Sequence, residues 1–283
     1  MTIRRSLSRL PAHTREVYRR ARGSGEGRRE GDFRPSVRAD AQAPELILSP
    51  HCDDAVLDCW GVLSGDREVV VVNLFAGVPP PGQAGVWEAV IGARDSAERS
   101  RERMAEDARA LARVGRTALN LSLLDAQFRR RAGPTIGLDT LDRALLEKVQ
   151  SASQVYAPAG IGSHADHLLT RRYARALLRA GMPVTLYAEL PYCTFHGWPS
   201  WVDGRDPAPN RDVDAYWRSC LQGVPEMPPL RSAEITRLDG PAAVAKGEAV
   251  RCYETSLNYG VRCLMADPAF GGFEVRWRLA GTG

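Results

Sequence analysis

The 283-residue chain reads as an α/β protein, a Rossmann-like three-layer α/β/α arrangement with a mainly parallel sheet and a C-terminal extension. Three observations predict it. Short continuous apolar runs recur at 45–49, 68–75, 118–123, 154–158 and 184–190, the texture of strands buried on both faces. Amphipathic segments alternate with them at 53–64, 93–114, 138–151 and 167–180, as crossover helices between parallel strands should. Two clusters of His and Asp, 51–54 and 164–167, stand directly after the first and fourth runs. Open α/β sheets bind ligands at the carboxyl ends of their strands.

In chain order, residues 1–44 carry eleven Arg against five acidic residues and a Gly-Ser-Gly-Glu-Gly run at 23–27. This segment is expected to be a poorly ordered basic extension, and the net charge of +4 belongs mostly to it. No strand precedes Gly23-Ser24-Gly25, so it is not a dinucleotide fingerprint. The expected catalytic domain is 45–283. Leu46–Leu48 is its first strand, ended by Ser49-Pro50. The helix at 93–114 turns Ala97, Met104, Ala108, Leu111 and Ala112 inward and stops at Gly115. After Leu190 the texture changes: 191–230 is rich in Pro, Trp and Tyr and reads as an excursion over the sheet's carboxyl edge, with a short helix at 211–221. Strands at 231–238 and 273–279, with a helix at 240–257 between them, close the chain.

Six cysteines without a C-x-x-C or a framework spacing fit a reduced, cytoplasmic setting. No apolar run has the length of a membrane span. A nucleic-acid role would rest on the N-terminal arm alone and is not expected; a homo-oligomer is left open. Neither a Gly-rich first turn nor a G-x-S-x-G elbow is present, which argues against a nucleotide-dependent oxidoreductase and a serine hydrolase.

The chemistry lies in the two clusters. Of five histidines, three (His51, His164 and His167) fall in them. If the first and fourth strands are neighbours, the clusters face one crevice. His51, Asp54 and His167 then make a two-His, one-carboxylate set that leaves positions open for water and substrate, suited to Zn2+ and equally to Fe2+ or another divalent ion. Asp53 is left free as a general base, and His164 or Asp166 as a proton donor or as the partner of the opposite imidazole. Cys52 is a candidate fourth ligand or a small turn residue. Asp58 reads as helix surface or as a support behind the site, and His196 as structural.

His51-x-Asp53-Asp54 with His164-x-Asp166-His167 resembles the PIG-L/LmbE-like family, metal-dependent N-acetylglucosaminyl de-N-acetylases. Arg103-x-x-Glu106, Leu121-x-Leu-Leu-Asp125, Tyr187-x-Glu-Leu-Pro191 and Lys246…Tyr253-x-x-Ser256 resemble later segments of the pattern, which spans 45–279. The resemblance implies His51, Asp54 and His167 as zinc ligands, Asp53 as base and His164 as a charged partner of the tetrahedral intermediate. It implies removal of an N-acetyl or N-acyl group from a sugar-bearing small molecule, and the Asp-Asp-Ala-Val-Leu version resembles a bacterial branch that includes glycopeptide-antibiotic sugar deacetylases. Cys52 and Ala55 depart from the common Pro and Glu, and Gly162 stands where some members have a carbonyl-polarising Tyr. Arg103 and Asp125 are candidate substrate contacts, or else helix-surface and turn-capping residues; Trp198 and Trp201 are candidates for stacking on a sugar or aglycone, or else part of a satellite core or dimer interface. The competing readings are a thiol-conjugate or other amide hydrolase, and a metal-binding subunit without catalysis.

Overall fold

In a computed structural model, residues 35, 37, 40–85, 93–129, 136–194, 197–206 and 212–281 are described. One seven-stranded sheet runs through them in the order β3-β2-β1-β4-β5-β7-β6. The strands are β1 (Glu45–Ser49), β2 (Val69–Asn73), β3 (Ala118–Asn120), β4 (Gln154–Pro158), β5 (Val184–Tyr187), β6 (Glu234–Arg237) and β7 (Phe273–Arg278). The first five in this numbering pair in parallel, while β7 runs antiparallel to both β5 and β6.

The parallel part exists because its strands are apolar on both faces. Leu46, Ile47 and Leu48 of β1 and Val71 and Val72 of β2 are at most 1% exposed, which leaves no face for water and demands helices on each side. Burying each such side chain contributes ~1.5–3 kcal/mol. The helices that cover them are α1 (Asp54–Asp58), α2 (Trp60–Leu63), α3 (Ser96–Ala112), α4 (Leu138–Gln150) and α5 (Ala165–Arg179). In α4, Leu138, Leu141, Leu145 and Val149 make the buried stripe.

The central pair decides where chemistry can occur. β1 pairs with β2 on one side and with β4 on the other. The chain leaves the carboxyl ends of β1 and β4 in opposite directions along the sheet, and that divergence opens a crevice at a topological switch point. Ser49 ends β1: its hydroxyl donates to the His51 carbonyl (2.6 Å) and accepts from the Ala55 amide (3.2 Å). That turn delivers His51, Asp53 and Asp54 to the mouth of the crevice.

Several boundaries differ from the sequence expectation. The helix expected over 53–64 breaks at Cys59 into α1 and α2. The helix expected over 240–257 stops earlier, as α8 (Gly240–Val250), and two further helices, α9 (Tyr259–Ala266) and α10 (Pro268–Gly271), precede β7. Asn258 caps α9 by accepting from the Val261 amide. The 191–230 excursion contains α6 (Ser200–Asp203) and α7 (Val213–Leu221). Most of the expected 1–44 extension lies outside the described residues. Its last part touches the body: Val37 packs on the core, and the Arg67 guanidinium donates to the carbonyls of Ala41 and Ala43. No helix among the described residues is long and apolar enough to cross a membrane.

Candidate metal centre

The turn after β4 is built to bring a second cluster to the first. Gly160, Gly162 and Ser163 all have positive φ, and the chain then enters α5 with His164 at the N-cap and Asp166 and His167 in its first turn. At Gly162 a side chain is excluded twice over. Its φ is +85°, and a Cβ would lie 2.8 Å from the ring of Tyr192.

Three donor atoms converge between the clusters. His51 Nδ1 lies 3.4 Å from Asp54 Oδ2, Asp54 Oδ2 lies 3.6 Å from His167 Nε2, and His167 Nε2 lies 3.3 Å from His51 Nδ1. Ligand atoms ~2.0–2.1 Å from a tetrahedral zinc ion stand ~3.3–3.4 Å apart. The triangle therefore has the edge lengths of such a coordination face. The outer nitrogens support it. His51 Nε2 meets Asp166 Oδ2 at 3.2 Å and His167 Nδ1 meets Glu189 Oε1 at 3.2 Å. A carboxylate on the far nitrogen fixes the tautomer and leaves the near nitrogen as a lone-pair donor. Glu189 is itself held by the amides of Gly160 (2.6 Å) and Ile161 (3.1 Å). Asp54 is held by the His51 amide (2.7 Å). His164 joins His51 and His167 in a second close grouping, and with Asp125, Asp166 and His51 in a third. Cys52 is in none of these groupings, and burial pushes its thiol well up, so it stays a neutral lining residue.

The electrostatics divide the neighbouring carboxylates. Burial opposes ionisation of Asp54, but His167 and His51 outweigh it and bring the group down to about 2. Asp53 is pushed up to about 6, by burial first and by the Asp54 charge second, against the pull of Arg103. Asp53 occupies the N-cap of α1 without capping it, so its carboxylate is not consumed by the helix. Adjacent carboxyl groups held in different protonation regimes are a pattern of acid–base sites. Burial works against charge on His51 too, yet hydrogen bonds to Asp166 and Asp54 raise it well above its usual value. The environment favours positive charge at the point where the three donors meet.

His164 lies beside both imidazoles, its ring 4.9 Å from that of His51 and 5.3 Å from that of His167. Burial, and then the neighbouring His51, push it down to about 4. Its Nδ1 accepts from the Asp166 amide at 3.3 Å, which leaves Nε2–H as a donor.

Of the expected substrate contacts, Arg103 and Asp125 line a cleft beside His51 with Cys52, Phe75, Ser100 and Phe128. Asp125 Oδ2 lies 3.6 Å from His51 Nε2. Trp198 and Trp201 do not line it. Trp198 is 4% exposed, its ring packs on Trp217 and Phe273, and its Nε1–H donates to the Phe270 carbonyl. Trp201 stands edge-on to Trp217. The apolar faces and indole donor of Trp198 are already used, so Trp198 is a core residue and the expectation of a sugar-stacking face there is corrected; Trp201 is half-buried against the same cluster. Among the described residues of the excursion, Tyr192 reaches the centre, with its ring 5.4 Å from His167 and 6.3 Å from His164. His196 lies outside the described residues. Asp58 is buried behind the site, accepting from the Leu190 amide at 2.8 Å.

Glu189, in the Tyr187-x-Glu-Leu-Pro191 segment, and Tyr192, in the aromatic excursion, were given no individual role, and Phe75 and Arg129 were not foreseen. Glu189 had a signal: a carboxylate two residues after a buried strand, the same context as the two recognised clusters. Arg129 and Phe75 had none that local sequence carries.

The fold is a mainly parallel α/β sheet with His and Asp side chains gathered at its switch point. Comparison with known proteins gives it company. No family model matches the chain. A 2'-N-acetylparomamine deacetylase of Streptomyces fradiae is 30% identical over 168 residues, which cover 52% of this chain and 57% of that protein; the chain thus spans little more than half the length of the curated relative it matches. Among solved structures, the A40926 pseudoaglycone deacetylase Dbv21 aligns with a TM-score of 0.58 at 25% identity, over 86% of this chain and 99% of that one. A triple mutant of a deacetylase involved in teicoplanin biosynthesis aligns at 0.61 with 24% identity, over 84% and 98%. The chain resembles LmbE/PIG-L-like deacetylases and shares the fold of the glycopeptide-sugar deacetylases.

Proposed function

We propose that this chain is a metal-dependent N-deacetylase acting on an amino-sugar-containing small molecule of antibiotic-type secondary metabolism. The observation that carries the reading is the donor triangle of His51, Asp54 and His167, with a carboxylate on the outer nitrogen of each imidazole and the uncommitted Asp53 beside it. The relatives' names point the same way: a deacetylase of an acetylated aminocyclitol glycoside and deacetylases of glycopeptide antibiotics.

His51, Asp54 and His167 would hold the ion; Zn2+ suits the donor set, and Fe2+ or another divalent ion shares it. When bound, the ion supplies Lewis-acid chemistry, polarising the amide carbonyl and acidifying a water. Asp53, pushed up to about 6, is matched to take a proton from that water and return it to the departing amine near neutral pH. His164, neutral and protonated on Nε2, donates a hydrogen bond to oxygen charge that builds as the amide carbon becomes tetrahedral. Arg103 and Asp125 offer a fork of donors and an acceptor to sugar hydroxyls. Tyr192 fills the space above Gly162 and supplies the aromatic wall there. The basic segment 1–44 is a dispensable extension up to the residues that touch the body.

The test is a mass-spectrometric screen for loss of an acetyl group across N-acetylglucosamine conjugates, N-acetylated aminoglycosides and glycopeptide pseudoaglycones, with the metal content of the protein measured alongside. The proposal expects deacetylation of at least one sugar class and inactivation by a chelator that added Zn2+ reverses. A metal-loaded protein inert to all three classes would redirect the reading to another amide.

A further inference from the structure

The loop after β3 reaches the centre from a third direction, and one guanidinium ties it there. Arg129 makes a charge-assisted hydrogen bond of 2.5 Å to Asp166 Oδ1. Its other terminal nitrogen donates to the Leu124 carbonyl at 2.8 Å. Its carbon centre sits 5.0 Å from the centroid of Phe75, a wall of the substrate cleft. The remaining oxygen of Asp166 accepts from the Ala126 amide (3.0 Å) and meets His51 Nε2 (3.2 Å). Asp166 is fully buried. A buried carboxylate with one imidazole on one side needs a fixed cation on the other to stay ionised and oriented, and a planar guanidinium can serve a carboxylate and a carbonyl at once.

We infer that Arg129 is a positioning residue that orients His51 through Asp166 and locks the Leu124–Phe128 loop, with Asp125 on it, against the metal centre. Its effect on metal retention runs through the carboxylate. Its effect on substrate binding runs through the carbonyl and the Phe75 ring. The inference rests on the proposed metal centre, so the wild-type protein is the first measurement: if it retains no divalent ion, the metal reading fails and not this one.

With a metal-binding wild type in hand, Arg129→Gln and Arg129→Lys separate the two effects. Metal affinity is read by competition with a chromophoric chelator, kcat and KM with whichever N-acetylated substrate is turned over, and loop order by amide hydrogen exchange of 124–128 in the metal-free protein. Arg129→Gln removes the charge and is expected to weaken metal binding by the ~10–100-fold typical of lost support behind a ligand, while exchange in the loop speeds up. Arg129→Lys keeps a charge for Asp166 but cannot reach both partners. It is expected to hold the metal within about threefold of wild type while KM rises and loop exchange stays fast. If Arg129→Gln does not fold, the lysine variant alone carries the test through that split. Wild-type metal affinity in Arg129→Gln, or an Arg129→Lys that matches wild type in KM and loop exchange, overturns the inference.

Discussion

Two regions of this molecule concentrate residues that attract functional attention, and they are built on opposite principles. In the tryptophan cluster under the aromatic excursion the rings of Trp198, Trp217 and Trp277 are spent on one another and on the backbone. Trp198, Trp217 and Trp277 stack in sequence with centroids 5.9 Å apart, and their indole N–H groups donate to the carbonyls of Phe270, Cys193 and Leu230 at 3.0–3.1 Å. In the crevice between β1 and β4, buried polar groups face each other unbalanced: His51 Nδ1, His167 Nε2 and Asp54 Oδ2 point at a common centre, and Asp53 caps nothing. Burying such groups costs several kcal/mol unless something completes them. Saturation marks a core, and convergence without saturation marks a site.

That contrast can be broken experimentally. The largest effect belongs to the ligand triangle. His51→Ala, Asp54→Ala and His167→Ala, made singly, should each bring metal content to background in elemental analysis; a variant that keeps a full equivalent removes that residue from the set. Next comes the base. Asp53→Asn should retain the ion and lose ~10²–10⁴-fold in turnover, and near-normal turnover would take Asp53 out of the mechanism. In the saturated region the loss should appear as stability. Trp217→Ala should cost ~3–5 kcal/mol in chemical denaturation while the folded fraction still takes up one equivalent of metal. The smallest effect separates the two tyrosine and tryptophan neighbours of the excursion. Tyr192→Leu should alter substrate KM by ~2- to 10-fold, the worth of ~0.5–1.5 kcal/mol of aromatic contact. Trp201→Ala should leave the preference between small and large N-acetylated substrates unchanged, and a changed preference would return that ring to the binding surface.

How much of this could be read from the sequence follows from how local each signal is. Strands β1, β2 and β4 are legible because burial on both faces leaves an unbroken apolar run, and the clusters because they follow those runs at once. His51 and Asp54 share one turn, and the spacing of His164 to His167 places its members in one cap and first helical turn. The long-range supports are different. Glu189 stands 22 residues from the imidazole it orients, and Arg129 stands 37 from Asp166; only the sheet order brings them together. Tryptophan density misled for a physical reason, since a large amphipathic ring serves a core and a sugar site equally well in composition. The break at Cys59 was illegible because Asp58 and Gly61 interrupt the apolar run only singly and no proline marks the break.

The central claim is that two imidazoles and one carboxylate, and no thiolate, form the metal centre. X-ray absorption of the protein loaded with one equivalent of Zn2+ tests it most directly. The account predicts a first shell of nitrogen and oxygen only, at ~2.0–2.1 Å, with the multiple-scattering signature of two histidines. A sulfur shell at ~2.3 Å would bring Cys52 into the site, and a single-histidine signature would break the triangle; either result would contradict it.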